Sequence, residues 1–297
     1  GALLENIDIA ARHFGYEADI APFPDPQNPN ITARITLRRG ATKNGGDLYL
    51  AIFRRSTNRK PFATTPIADS VKQAFLRSAN PYPDVELKLV ENKATLQTLG
   101  TAGAANEVVL FSNKTLHRLF FDEIVWTEEE ERERKGGLYL KTMELKPPQE
   151  KMIKLLRHWP LMRLAGLLGI PKAIAKENAR TYASAGLMGA IVVPDDDKSF
   201  LHAGRVLQRI WLTATKENLG FHIITGILYM YQQLIGGKKE LFSPRQQQVI
   251  RKAYHATASA FGVPKDKCIA VMFRTGKADP PSGTSSKKAP EIHYYNS

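Results

Sequence analysis

"AIFRRSTNRKPFATTPI", residues 51 to 67, sets Arg54, Arg55, Arg59 and Lys60 among hydroxyl and amide side chains and closes on prolines. Apolar Ile52, Phe53, Phe62 and Ile67 flank these cations, so the stretch does not read as a disordered basic tail. Alternate positions of an extended segment point the same way, which would aim Arg55, Thr57 and Arg59 at one spot. A guanidinium offers a planar fork matched to two phosphate oxygens, and a threonine hydroxyl adds a neutral donor. A phosphate monoester carries about −1.5 to −2 charges near neutral pH, which two or three cations nearly balance. Ser56 and Asn58 are suited to capping neighbouring backbone. The stretch is read as an anion holder. The competing reading is an exposed basic loop whose charges contribute little.

The composition agrees with an anionic partner. The 297 residues carry a formal charge of +13, which favours phosphates, nucleotides, nucleic acid or anionic lipid. Hydrophobic residues make up 43% of the chain, enough for a substantial core. Length alone fits one large domain or two ordinary ones. The single cysteine, Cys268, excludes an internal disulfide framework and a cysteine-rich metal site. A reducing cytoplasm fits this, and no signal peptide or transmembrane segment is apparent. The histidines are scattered and form no ligand pair with a carboxylate at helical spacing, so no metal is expected. Aromatic residues do not alternate with basic ones on strands, so no nucleic acid is expected either.

Periodicity divides the chain. Leu3, Leu4, Ile7, Ala10, Ala11 and Phe14 follow helical spacing up to Gly15. That helix opens at Gly1 with neither cap nor methionine, which predicts further natural residues upstream. "PFPDPQNPN" (22 to 30) reads as a loop, "ITARITLRR" (31 to 39) as a strand and "ATKNGGD" (41 to 47) as a flexible connection. A helix carrying Leu48, Ile52 and Phe53 leads into the basic turn, and another follows Pro66. "DVELKLVE" is a strand, and residues 95 to 133 read as helix, with "TEEEERERKGG" as its solvated end. Residues 149 to 180 are helical, basic and interrupted by Pro160 and Pro171.

The C-terminal third continues with the buried strand in "GLMGAIVVPDDD" and a helix over 199 to 219 capped by Asp197 or Ser199. A helix over 243 to 261 is capped by Ser243 with Pro244 at its first position. "CIAVMFRTG" is the last strand, and the Pro-rich "PPSGTSSKKAPE" suggests a tail with a definite path. "ITARITLRRG" and "CIAVMFRTG" share an apolar strand followed by Arg, one residue and Gly. Whether the chain holds two diverged halves of one fold stays open on this pattern alone.

"FRRSTNRKPF" resembles the flavin-phosphate segment of the FMN-dependent nitroreductase family, and its Thr-Asn-Arg…Pro-Phe form resembles the Acg-like branch. "KGGLYLKTMEL", "PDDDKSFLHAGRVLQRIWLTATKENLGF" and "VMFRTGKADPPSGTSSKKAPE" follow in matching order. The resemblance implies an α+β fold with a mixed, mainly antiparallel sheet flanked by helices. In this branch two nitroreductase-like halves share one chain and FMN lies between them; ordinary members place it at a homodimer interface. Residues 1–45 would be the remainder of a truncated first half, and 46–297 a second half with a helical lid-like insertion around 147–182.

By position, Arg55, Ser56, Thr57 and Arg59, with Lys287 and Lys288 after the last strand, match the family's phosphate binders. The implied activity passes electrons from NAD(P)H through FMN to a nitroaromatic, quinone or similar acceptor. The alternative is a non-turnover protein that sequesters flavin under a covering helix. Two parts of the family pattern are absent: the N-terminal Pro-Ser-x-x-Asn-x-Gln-Pro-Trp-type segment, and an acid in "HIITGIL". His222, Thr225 and Gly226 of that region are the residues expected near the ring, and no catalytic residue is named. The basic amphipathic stretch "EKMIKLLRHWPLMRLAGLLGIPKAIAKENAR" is read as a lid over the sheet or flavin, with an anionic membrane surface as the other reading.

Overall fold

Every residue of the strand Leu187–Val193 (β6) is buried. An unbroken apolar strand of this kind sits inside a sheet covered on both faces. In the computed structural model, which describes residues 1–40 and 48–294, β6 pairs antiparallel with Glu86–Val90 (β3) on one side and Cys268–Gly276 (β8) on the other. Gly220–Ile224 (β7) completes the sheet, in the order β3-β6-β8-β7. Met188, Ala190, Val192 and Met272 face a core formed with helices Lys93–Ser112 (α4), Gly226–Ile235 (α11) and Pro244–Phe261 (α12). Leu187, Ile191, Val193 and Phe273 face the opposite core, made with Asp69–Arg77 (α3) and Asp197–Lys216 (α10). The architecture is α+β, a four-stranded antiparallel sheet between two helical layers.

The N-terminal part stands beside this body. Ala2–His13 (α1) leads through Gly15 to Tyr16–Pro22 (β1), which pairs antiparallel with Ala33–Arg39 (β2). β1 is a strand that hydropathy does not announce, because none of its residues is buried. Leu48–Arg54 (α2) then packs on α1 and α10. The connection expected at 41 to 47, and with it the 45/46 domain boundary, lies outside the described residues.

Helix α1 is fastened to α10 by a buried ion network. Arg205 donates from Nε to Glu5 Oε2 and from Nη2 to Asp8 Oδ2, each at 2.9 Å. Arg209 donates from Nε and Nη2 to Glu5 Oε1, and Arg12 pairs with Asp8 at 2.9 Å. Gln208 donates to Asn6 at 2.8 Å. The Arg-x-Gly strands also share a pairing geometry. Gly40 N–H donates to Gly15 O at 2.9 Å at the end of the β1–β2 ladder, and Gly220 lies opposite Gly276 at the end of β7–β8. Glu17 faces Arg38 in one pair and His222 faces Arg274 in the other, each two residues in from its glycines.

The long helix expected over 95 to 133 is three helices. Asn113 takes an extended backbone and its side chain accepts the N–H groups of Thr115 and Leu116, restarting the chain as Lys114–Asp122 (α5). The two-residue strand Ile124–Val125 (β4) follows, parallel to Leu138–Tyr139 (β5). Thr127 and Glu130 then form a reciprocal capping box that starts Glu128–Arg134 (α6). Both caps are visible in the sequence, but uninterrupted apolar spacing outweighed them.

The prolines of the basic stretch act as helix starters. Pro147–Leu156 (α7), Trp159–Leu167 (α8) and Ile170–Ala183 (α9) each carry proline in the first turn, where its missing N–H costs nothing. Helices α7 and α8 of the stretch read as a lid build a core of their own with α4 and α5. Ile153, Leu156, Met162 and Ala165 pack in a satellite core with Phe111, Phe121 and Ile124 of α4, α5 and β4. The remaining leucines face outward.

Candidate functional site

Residues 58 to 67 cross the end of the sheet at which β8 finishes and β6 and β7 begin. Asn58 N–H donates to Phe221 O at 2.9 Å, Phe62 N–H to Ser184 O at 3.2 Å and Ala63 N–H to Lys277 O at 2.8 Å. Phe62 lies so close over the sheet that a Cβ at Gly220 would meet its ring at 2.8 Å, and one at Gly276 would meet its Cβ at 3.0 Å. Glycine at both positions is what lets the turn descend onto the strands. Asn58 is buried and bonded at both ends of its amide. Its Oδ1 accepts Lys60 N–H at 3.0 Å, and its Nδ2 donates to Asp279 O at 2.8 Å. The expected capping role thus falls to Asn58, while the hydroxyls of Ser56 and Thr57 make no hydrogen bond among the described residues.

Arg274 of β8 underlies the turn and is fully buried. Its Nη2 donates to Arg59 O at 3.1 Å and Lys60 O at 2.9 Å, and its Nη1 donates to Thr181 O at 2.8 Å and Ser184 O at 3.2 Å. Its Nε donates to His222 Nδ1 at 3.1 Å, which fixes His222 as the neutral tautomer protonated on Nε2. The guanidinium carbon sits 4.1 Å over the Phe62 ring. Burial pulls the Arg274 pKa down to about 9, with nearby Arg59 adding to the effect and Tyr182 opposing it. His222 lies well below its usual range through burial, then Arg274 and Arg59. Sequence reading passed over Arg274. The available signal was an arginine in an otherwise apolar strand, which must be paired to be buried.

The expected anion binders are distributed as follows. The Arg55 guanidinium lies 4.0 Å over the Trp211 ring of α10, and its Nε is buried without a hydrogen-bond partner. Arg59 rests on a different wall and donates from Nη1 to Thr142 O at 3.1 Å and to Thr142 Oγ1 at 3.3 Å. Burial lowers the pKa of both arginines. Lys287 donates to Ile52 O at 3.3 Å, at the last turn of α2 that leads into Arg55. Lys288 is exposed and makes no ion pair among the described residues. Of the residues expected near a ring, Thr225 is exposed, His222 is buried and Gly226 abuts the Asn106 side chain.

The tail that carries Lys287 follows a fixed path. Lys60 Nζ donates to Pro280 O at 2.7 Å. Ser282 donates its N–H and its hydroxyl to the two carboxylate oxygens of Glu144, each at 2.7 Å. Ser286 N–H donates to Glu131 Oε1 at 2.5 Å. Glu131 belongs to the charge run read as a solvated helix end, yet it is buried and holds the tail.

A second buried polar group lies next to this cluster. Glu107 of α4 accepts from Asn178 Nδ2 at 2.8 Å and from Tyr182 hydroxyl at 3.0 Å, both on Oε1. Its Oε2 is buried without a partner. Burial raises the Glu107 pKa from 4.5 to about 7. The unfolded chain therefore releases this proton at lower pH than the folded one. Stability contributed here is complete below about pH 4.5 and declines as pH rises to about 7. Glu107→Gln is expected to remove a decline on the order of 3 kcal/mol. Urea unfolding of both proteins at about pH 5 and about pH 8 checks this; parallel curves for the two proteins would contradict it.

No family model matches the sequence, and no curated protein matches it. Among solved structures the chain is similar to a nitroreductase with bound FMN from Bacteroides fragilis, at 10% identity over 84% of this chain and 100% of that one, with a TM-score of 0.43. It is similar to a putative NADH dehydrogenase/NAD(P)H nitroreductase from Parabacteroides distasonis, at 11% identity over 84% and 99%, with a TM-score of 0.45. An iodotyrosine deiodinase bound to FMN and 3-iodo-L-tyrosine shares 11% identity over 84% and 99%, with a TM-score of 0.46. None of these similarities assigns a role to a residue of this chain.

Proposed function

We propose that the protein binds FMN through its phosphate monoester at the turn over residues 55 to 59, and that it acts as a flavin-dependent oxidoreductase. One observation carries the reading. Lys287, 235 residues beyond Ile52, donates to Ile52 O just before the basic turn, and the Arg55 Nε of that turn is buried with no hydrogen bond made. A buried guanidinium nitrogen left unpaired is costly, and a phosphate oxygen would satisfy it. The donors of this segment suit such a group: the Arg55 guanidinium, the Lys287 ammonium with Lys288 beside it, and the unengaged hydroxyls of Ser56 and Thr57, while Arg59 would have to turn from its bonds to Thr142 to join them. The motif resemblance of residues 53 to 62 supports the same assignment.

Bound FMN would supply electron transfer between a reduced nicotinamide and a nitroaromatic, quinone or similar acceptor. The chain's own part is to bind and orient. Arg274 holds the carbonyls of Arg59 and Lys60, presetting the turn before any ligand arrives. Arg55 keeps its charge beside the Trp211 face, which excludes water from one side of the guanidinium. The matched Gly15–Gly40 and Gly220–Gly276 ladder ends support two diverged halves within one chain, with residues 1–45 belonging to the first. The helices α7 to α9 correspond to an insertion in the second.

The test is spectroscopic. The purified protein should show an oxidised-flavin band near roughly 450 nm, which NADPH bleaches. A band that persists under NADPH would mark a flavin-holding protein, and FMN that fails to bind overturns the reading. Arg55→Ala and Arg59→Ala should each weaken FMN about 10- to 100-fold, the equivalent of one charge-assisted hydrogen bond. Riboflavin, lacking the phosphate, should bind all three proteins equally weakly. Equal losses for riboflavin and FMN would place the arginines away from the phosphate.

A further inference from the structure

The leucines that α7 and α8 do not bury form a ridge. Leu155, Leu161, Leu164, Leu167 and Leu168 are all exposed, Leu167 and Leu168 by 82% and 75%. Met162 and Ala165 face the satellite core on the other side of α8. A helix that buries one apolar side and leaves another in water is unusual for a surface element, whose outer face is ordinarily polar. The apolar outer side is therefore not accounted for by the fold.

The surroundings indicate what covers it. From residue 151 to residue 176 the chain has Lys151, Lys154, Arg157, Arg163, Lys172 and Lys176 and no acidic residue. All six cations are exposed, and none makes an ion pair among the described residues. Two hollows flank the ridge. One, of about 580 Å³, is lined by Trp126, Lys151, Lys154, Leu155, Arg157 and His158. The other, of about 530 Å³, runs between α8, α4 and α12 with an apolar floor that includes Met162 and Val249 and a rim carrying Arg163, Lys172 and Arg245. A second copy of this face would bring these cations together, so self-association is opposed by charge.

We propose that the α7–α8 ridge docks on an anionic phospholipid bilayer, lying in its interface without crossing it. Leu161, Leu164, Leu167 and Leu168 enter the acyl boundary, and lipid phosphates and carboxylates occupy the flanking basic hollows. No helix among the described residues is long and apolar enough to span a membrane, so the attachment is peripheral. It uses none of the residues assigned to the basic turn, so the two readings stand or fall separately.

The experiment is co-sedimentation of the full chain with vesicles of phosphatidylcholine alone and with about one-third phosphatidylserine. The protein should pellet with the second and not the first, and salt at about 1 M should release much of it. Leu167→Asp with Leu168→Asp should lower binding at least about tenfold, and so should Arg163→Glu with Lys172→Glu. These side chains are exposed, so thermal melts should match wild type and separate lost docking from lost folding. Equal binding to both vesicle types, no binding to either, or variants that bind as wild type would overturn the proposal. So would a concentration-dependent dimer that Leu167→Asp with Leu168→Asp dissolves, which would assign the ridge to a second copy of the chain.

Discussion

Arg274→Met should lower stability by about 3–5 kcal/mol, because five acceptors lose their shared donor at once and an unsatisfied buried group costs about 1–3 kcal/mol. The methionine fills much of the volume but leaves His222 Nδ1 and the carbonyls of Arg59, Lys60, Thr181 and Ser184 without their shared donor. His222 Nδ1 is buried and the four carbonyls are part-buried, so water replaces the guanidinium only in part. Arg274→Lys should recover only part of the loss. A lysine has one nitrogen, which cannot reach groups arranged around a flat five-donor fork. Urea unfolding measures the first effect. The second readout, which rests on the proposed FMN site, is FMN affinity at a temperature where the variant stays folded, because the carbonyls that Arg274 holds set the path of the turn. A Met variant within about 1 kcal/mol of wild type would show that the network is not coupled as described.

Glu5→Ala comes next in size, at about 3 kcal/mol. Glu5 is almost fully enclosed and faces Arg205 and Arg209 together. Removing it leaves Arg205, only 14% exposed, with Asp8 alone, while Arg209 at 31% can turn toward solvent. That partial escape keeps the loss below the sum of two broken pairs. Asp8→Asn should cost less, because one of its partners, Arg12, is half-exposed. The Glu5 effect should persist at high salt, since enclosed pairs are weakly screened. A loss that vanishes in about 1 M salt would make this a surface interaction after all.

The parts legible in sequence were those with a local signature. Ser243–Pro244 and the capping box to Gln246 start α12 where expected, and "LMGAIVV" is the central strand its composition demands. The cap of α10 proved to be Asp196, one residue before the expected pair, because Asp196 Oδ1 accepts Ser199 N–H. Breaks inside continuous apolar spacing were lost, as at Asn113. So were strands that bury nothing, as β1. In the basic turn the donors themselves were legible from residue type. Their placement was not: Arg55 and Arg59 sit against Trp211 and Thr142, residues more than eighty positions away. Arg274, Glu131 and Glu144 organise the turn and tail through such distant partners; the apolar strand around Arg274 marks it as buried and paired, but no local pattern names its partners or singles out Glu131 and Glu144.

The tail clamped by Glu144 and Glu131 has a consequence for the order in which the protein is made. Translation completes the 55–59 segment long before Arg274 and Lys287 exist, so a nascent chain cannot yet fix the turn. On the proposed reading of the turn, ligand capture is a late event in biogenesis, and a chain stalled short of residue 274 would lack the group that fixes the turn however well its earlier helices had formed.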